Sequence, residues 1–339
     1  MSRLRQWWPL LRRVLLGAFL LAVAVLLWRQ AREVDWAAVA AAARAYPTAT
    51  LLACAALAAG SYAIYCSFDV LAKHYVGHAL ASRRVFAVAF VAYAFNLNMG
   101  ALVGGAGFRF RLYSQRGLDP GDITRVLGFS VFTNWSGYLL LLGCVLATRL
   151  VPIPSGWDLG AAALQWVGVA LVLGVVGYVV LSGLSRRRSV TLRGHRIDLP
   201  PLRTALAQVC LSSLHWVLMG GIVYLLLLGR VPYPTVLGVL MLGAVAGALT
   251  HVPAGLGVLE TVFVLILGAT IPRPDLLAAL LTYRAIYYLG PLLLALLVYV
   301  TLEMRSRGAR ARGAKYAAAQ IGRGGSATRS AARGPSMRA

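Results

Sequence analysis

Acidic residues are scarce in this chain: Asp and Glu number ten in 339 residues, Lys and Arg number 33, and charged residues of all kinds make up 13%. A soluble domain carries about 25% charge, so a water-facing surface around one or two soluble cores is excluded. Cysteine is rarer still. Cys54, Cys66, Cys144 and Cys210 fall inside apolar runs without CxxC or Cys/His ligand spacing, which leaves them as small buried residues and implies no disulfide or metal site. Enzyme motifs are missing as well, with no Walker A loop, no HExxH, no GxSxG with partners and no paired carboxylates inside an apolar span. The run Gly104-Gly105-Ala106-Gly107 opens no βαβ unit, so a nucleotide site fails. No catalytic residue, cofactor or metal is expected, and the chain does not read as an enzyme.

What the chain has instead is apolar length. Hydrophobic residues make up 60% and mean hydropathy is +0.74. Apolar spans run at about 11–28, 48–67, 85–108, 123–147, 161–183, 204–228, 235–270 and 276–302, near the roughly 20 residues that cross a hydrocarbon core. The net charge of +23 sits in short clusters between these spans, the footprint of membrane topology and not of a nucleic-acid face. The first span follows Arg3, Arg5, Arg12 and Arg13 but is long and has no clean small-residue cleavage site behind it. It reads as a crossing and not as a signal peptide.

Two spans are irregular. Span 85–108 ends in Gly100, Gly104, Gly105 and Gly107, and span 235–270 is cut by Pro253, Gly255 and Gly257 into pieces that reach about 22 Å each at 1.5 Å per residue, short of the roughly 30 Å core. Cytoplasmic loops carry the excess of Lys and Arg. If both irregular spans return to the side they left, 26 of the 33 basic residues fall on the cytoplasmic side, six fall outside and Arg284 lies within a span. A full crossing by 85–108 would move the cluster of Arg186, Arg187, Arg188, Arg193, Arg196 and Arg203 outside, against the strongest charge signal. The expected fold is therefore an all-α polytopic membrane protein with about six full transmembrane helices plus two Gly/Pro-broken re-entrant hairpins. The halves, about 10–150 and 160–303, then repeat one order upside down, as in transporter folds with a site near the midplane. Eight ordinary helices with Gly kinks are the plain alternative. Residues 304–339, rich in Arg, Gly, Ala and Ser, are expected to form a basic disordered tail drawn to anionic headgroups, with a merely solubilising end as the alternative, and both termini are expected in the cytoplasm of a cell with an inner membrane.

Nine of the ten acids read as loop or span-end residues, leaving Glu260 inside the membrane, one turn after the break at Pro253-Ala254-Gly255-Leu256-Gly257, with Arg284 as its natural counterpart. Ionisable groups at that depth face partners or a wet cavity. A functional Glu260 and a purely structural Glu260–Arg284 pair both fit. A helix that starts at mid-membrane points unpaired N–H groups into the site, which suits a phosphate. Such starts are expected after Gly107 and Gly257, with Arg109 and Arg111 following the first directly and adding fork geometry. Anchoring of these arginines at the inner interface is the bland alternative. Asn96 and Asn98 cannot face the same way on a straight helix, so one is expected to bond freed backbone. His251 beside the second break reads as a satisfied buried histidine, with gating or titration as the alternative, and Tyr283, Tyr287 and Tyr288 around Arg284 read as packing or interface-belt groups, with a ligand cage as the alternative.

The stretch from Asn98-Met99-Gly100 through Gly104-Gly105-Ala106-Gly107-Phe108-Arg109-Phe110-Arg111-Leu112-Tyr113 to Arg116-Gly117-Leu118, with Pro253-Ala254-Gly255-Leu256-Gly257-Val258-Leu259-Glu260, resembles the two signatures of the lysylphosphatidylglycerol synthase transmembrane family. Ala254 stands where that family usually has Gly. The resemblance covers roughly residues 10–303 and implies phospholipid handling, since the related multiple peptide resistance factors couple a flippase region to a cytosolic domain that aminoacylates phosphatidylglycerol. About 35 residues follow the last span, so the expectation is a flippase-like region alone. It would bind an anionic or aminoacylated phospholipid through Arg109, Arg111, Glu260, Arg284, Asn96 and Asn98. Lipid-synthesis enzymes and a second copy of the chain are the possible protein partners. A non-transporting scaffold and a membrane-embedded transferase are the rival classes.

Overall fold

The computed structural model describes residues 36–151, 158–184, 189–192, 195–250, 252 and 255–304. Span 11–28, the break residues Pro253 and Ala254, His251 and the basic tail lie outside the described residues.

The fold is all-α and polytopic. A short helix α1, Trp36–Arg44, leads into α2, Thr48–Val76, which ends where Gly77 takes a left-handed φ of 86° and returns its N–H to Lys73, a conformation that suits glycine. Helix α3, Ser82–Met99, stops at Gly100 (φ 84°); a π-helical stretch, Ala101–Gly107, then runs directly into α4, Phe108–Ser114. Helix α5, Pro120–Ala147, opens with Pro at its first position, where no N–H is needed. Helix α6, Asp158–Leu184, is followed by a two-stranded antiparallel hairpin of β1, Ser189–Leu192, and β2, His195–Asp198. Then come α7, Leu202–Leu226, α8, Tyr233–Thr250, α9, Val258–Leu267, and α10, Arg273–Arg284. The last continues through a π-helical stretch, Ala285–Leu289, and resumes as helix to Met304.

Among the described residues six helices are long and apolar enough to cross a membrane: Thr48–Val76, Pro120–Ala147, Ala162–Leu184, Leu202–Leu226, Tyr233–Thr250 and Arg273–Met304. Five of them match expected crossings. The sixth, Tyr233–Thr250, was expected as one limb of the second hairpin, and its partner limb Val258–Leu267 is shorter. Helix α1 was not expected; Ala-rich and brief, it has too little apolar length to register as a span.

The chain reverses at both irregular spans. A Cβ on Gly104 would lie 2.2 Å from the Phe95 carbonyl oxygen, and Phe95 stacks on Phe108 with ring centroids 4.0 Å apart, so the limbs on either side of Gly100 run back against each other. In the second hairpin, Gly243 meets Leu259 and Gly247 meets Gly255 across the turn. The break of the first hairpin therefore sits at Gly100 and not at Gly107, whose φ of −56° is ordinary helix. Gly104 instead admits the close approach of two backbones. Replacing Gly104 by Ala pushes a methyl into Phe95 backbone that cannot swing aside, so the variant is expected to unfold more easily by about 3 kcal/mol, the upper end of overpacking costs. A thermal or denaturant midpoint in detergent micelles, compared with the Gly107→Ala change at a roomier position, checks this.

Small residues also set the helix packing. Gly137 of α5 lies so close to Ser212 and Ser213 of α7 that no side chain fits, and Gly143 of α5 faces Gly168 of α6 in the same way, the pattern that lets helices approach in lipid. Cys54 and Cys66 are buried as expected, whereas Cys144 and Cys210 are exposed on the outer flanks of α5 and α7. The expectation that all four cysteines are buried is corrected: an apolar residue on a spanning helix can face lipid as readily as core.

Candidate functional site

An arginine–carboxylate pair ties each hairpin to a long helix, and the polarity of the two pairs is reversed. At the first hairpin the arginine is on the returning limb. Arg109 of α4 donates from Nε and Nη2 to Asp69 of α2 at 3.0 and 2.9 Å, and from Nη1 to the Gly105 carbonyl at 3.3 Å. Tyr113 and Ser130 hydroxyls donate to the same carboxylate at 2.9 and 2.6 Å, so its roughly four acceptor positions are filled. Both partners are sealed from solvent, at 2% and 0% exposure.

At the second hairpin the carboxylate is on the returning limb. Gly255 and Gly257 take φ of 55° and 77°, and Gly257 caps α9, which places Glu260 in its first turn. Arg284 of α10 donates from Nε to Glu260 Oε1 at 2.5 Å and from Nη2 to Oε2 at 3.1 Å. The same Nη2 donates to the Gly255 carbonyl at 2.9 Å. The Tyr288 ring lies 5.3 Å from the guanidinium carbon, within cation–π range. This pair is more open than the first, at 8% and 14% exposure. Arg284 sits about 16 Å from the start of its helix at 1.5 Å per residue, close to half the thickness of a bilayer core.

The expected site residues divide between these places. Glu260 and Arg284 meet as expected. Arg109 does not follow the break directly but lies in the second hairpin limb past the π-helical stretch, and in this conformation Asp69 and Gly105 occupy its guanidinium. Arg111 is half-exposed and reaches Glu303 at the end of the last helix, at 3.2 Å, beside a second contact from Gln115 to the same carboxylate. Asn98 donates to Ala94 and, at 3.3 Å, to the Tyr288 carbonyl within the π-helical stretch of α10, which joins the first hairpin to the helix that carries Arg284. Asn96 lies against the returning limb, with Oδ1 2.8 Å from where a Gly105 Cβ would stand.

Two features escaped sequence reasoning. Asp69, read as a span-end residue, is fully buried about two turns inside α2, because the helix continues past residue 67 to Val76. The assignment of Glu260 as the lone acid inside a span is therefore corrected. The second feature is a buried hydroxyl–imidazole network that joins α3 of the first hairpin to α2, α7 and the π-helical stretch of α10. His215 of α7 lies 2.9 Å from Ser61 Oγ and 3.1 Å from the Ser61 carbonyl through Nδ1, and 3.2 Å from Tyr93 Oη through Nε2. Tyr287 Oη lies 2.8 Å from Ser61 Oγ and 3.0 Å from Tyr93 Oη. A neutral His215 that donates from Nδ1 to the Ser61 carbonyl and accepts at Nε2 from Tyr93 satisfies every member. No spacing in the sequence points to it, since its members come from four separate helices.

Titratable groups at the rim of the fold respond to burial. It lowers the His78 imidazole, with Lys73 adding to the effect, and lowers Arg116, with Arg84 adding. Burial and the nearby Asp275 push the Tyr46 hydroxyl up to about 12.

Comparison with known proteins adds a family-wide match. Residues 14–295 fit the family model described as the lysylphosphatidylglycerol synthase TM region. The inner membrane protein YbhN of Escherichia coli is 42% identical over 313 residues, covering 92% of this chain and 98% of that protein. The uncharacterized protein slr0712 of Synechocystis is 31% identical over 235 residues, 68% of this chain and 73% of that one. A phosphatidylglycerol lysyltransferase of Staphylococcus haemolyticus is 24% identical over 226 residues, 63% of this chain but a quarter of the longer enzyme.

Proposed function

The chain belongs to the lysylphosphatidylglycerol synthase transmembrane-region family as a multi-pass inner-membrane protein, and from that premise we propose that it is a phospholipid translocase and not a transferase. The hairpins are re-entrant, the first from the cytoplasm and the second from outside, the halves are inverted repeats, and both termini are cytoplasmic. The observation that carries the reading is the Glu260–Arg284 pair. An ion pair set well along a spanning helix, at a hairpin broken by Gly255 and Gly257, is only partly sealed, while the reversed pair at the first hairpin is closed. Charged groups are held at such depth at an expense of about 2.5–3.5 kcal/mol each on insertion scales, which favours a use for them.

A headgroup moving between leaflets loses its hydration, and that loss is the main barrier to its passage. Arg284 with the first-turn N–H groups of α9 supplies donors to a phosphate in place of water, and acyl chains stay in lipid. The Asp69–Arg109 pair latches the opposite hairpin. Arg111, half-exposed beside Glu303, meets headgroups at the entrance. The name of the Staphylococcus haemolyticus relative connects a matching region with phosphatidylglycerol chemistry, which supports a phospholipid over a soluble solute.

The test is exchange of acyl-labelled phospholipids between leaflets of reconstituted vesicles, over a panel of anionic, zwitterionic and aminoacylated lipids. At least one lipid is expected to equilibrate tenfold faster or more than in protein-free vesicles, and the Glu260→Gln/Arg284→Met double variant, which removes the site without stranding a charge, is expected to return to that background. Wild type no faster than empty vesicles for every lipid would replace a translocase with a scaffold.

A further inference from the structure

Resting on that reading, we infer that the second-hairpin site is matched to a headgroup carrying one phosphate and one ammonium, with net charge zero. Glu260 and Arg284 sum to zero in a place where an uncompensated charge is strongly disfavoured. A zwitterionic headgroup replaces the pair without changing that sum: its phosphate takes the Arg284 fork, which donates from Nε and Nη2, and its ammonium takes the Glu260 carboxylate. A purely anionic headgroup satisfies Arg284 but leaves Glu260 beside a like charge. A purely cationic one reverses the fault.

Two further groups on this side fit an ammonium. The Gly255 carbonyl now accepts from Arg284 Nη2 at 2.9 Å and becomes a second acceptor when the guanidinium turns to a phosphate. The Tyr288 ring presents its face to the position Arg284 occupies, 5.3 Å from the guanidinium carbon, and aromatic faces attract ammonium as they do guanidinium. The Asp69–Arg109 pair cannot make the same exchange, because four donors fill its carboxylate and both partners are sealed. Glu260 rides on the hairpin and Arg284 on the long helix, so a headgroup that inserts between them also parts the hairpin from α10. Binding and movement are one event.

The experiment compares acyl-labelled phosphatidylethanolamine with acyl-labelled phosphatidylglycerol as tracers in vesicles of unlabelled phosphatidylglycerol, for wild type and Glu260→Gln. Wild type is expected to move the zwitterionic tracer at least tenfold faster. Glu260→Gln leaves Arg284 as a lone cation, so the order is expected to reverse in favour of the anionic tracer. A second readout needs no transport: delipidated protein offered both lipids in equal amounts should retain phosphatidylethanolamine, and the Glu260→Gln protein phosphatidylglycerol. Equal tracer rates above the protein-free background, or equal retention, would overturn the zwitterion assignment while the translocase stands. Rates at background for both tracers would overturn this inference, and the translocase falls with it only when every other lipid of the panel also stays at background. Added O-phosphoethanolamine should compete weakly; competition as strong as that of the lipid itself would reassign the site to a soluble ligand.

Discussion

Asp69→Asn is expected to lower stability by about 3–5 kcal/mol, the usual loss when one partner of a buried ion pair is removed. The substitution keeps the shape of the side chain and removes its charge, leaving Arg109 at 2% exposure with no anion. The Tyr113 and Ser130 hydroxyls also trade a carboxylate acceptor for an amide with fewer acceptor positions. Removing both charges together, as Asp69→Leu/Arg109→Met, takes away the stranded cation and is expected to cost less than either single change, with the two hydroxyls accounting for most of what remains. The comparison is read from unfolding midpoints of the purified variants in detergent micelles. Single variants within about 1 kcal/mol of wild type would mean that the pair does not hold the first hairpin against α2, since surface pairs are worth that little.

That pair also marks the limit of what was legible in the sequence. Apolar length located the long helices, and the glycines and prolines located both chain reversals, because backbone breaks are written in residue type. The Glu260–Arg284 pair was legible for the same reason: each is an isolated charge in an apolar run, so each is conspicuous. Asp69 was hidden by its neighbours. Lys73 and His74 follow four and five residues on, the falling hydropathy ends the apparent span at residue 67, and nothing local says that the helix goes on to Val76. Arg109 looked free for phosphate because its partner is 40 residues away on another helix. Gly107 looked like the break because Gly104 and Gly105 stand close before it, yet only the structure shows that those two let the limbs approach while Gly100 turns the chain. The network of Ser61, Tyr93, His215 and Tyr287 is a product of packing, and three hydroxyls and an imidazole spread over four apolar helices carry no periodic signal.

If the chain is a translocase, the Glu260–Arg284 site must open to both sides of the membrane in turn. Leu256 lies between the two hairpin glycines, one residue from Gly255 whose carbonyl holds Arg284, and is 47% exposed, so Leu256→Cys reports on the site without entering the pair. In a protein with Cys144 and Cys210 replaced by Ala, the buried Cys54 and Cys66 stay silent. A charged, membrane-impermeant thiol reagent is then applied from one side at a time, to oriented vesicles with and without a translocated lipid. The thiol is expected to react from the outer side in both conditions. From the cytoplasmic side it should rise from background to near-complete labelling once the lipid is present. Labelling confined to the outer side in every condition would contradict alternating access and leave a fixed lipid-binding membrane protein in its place.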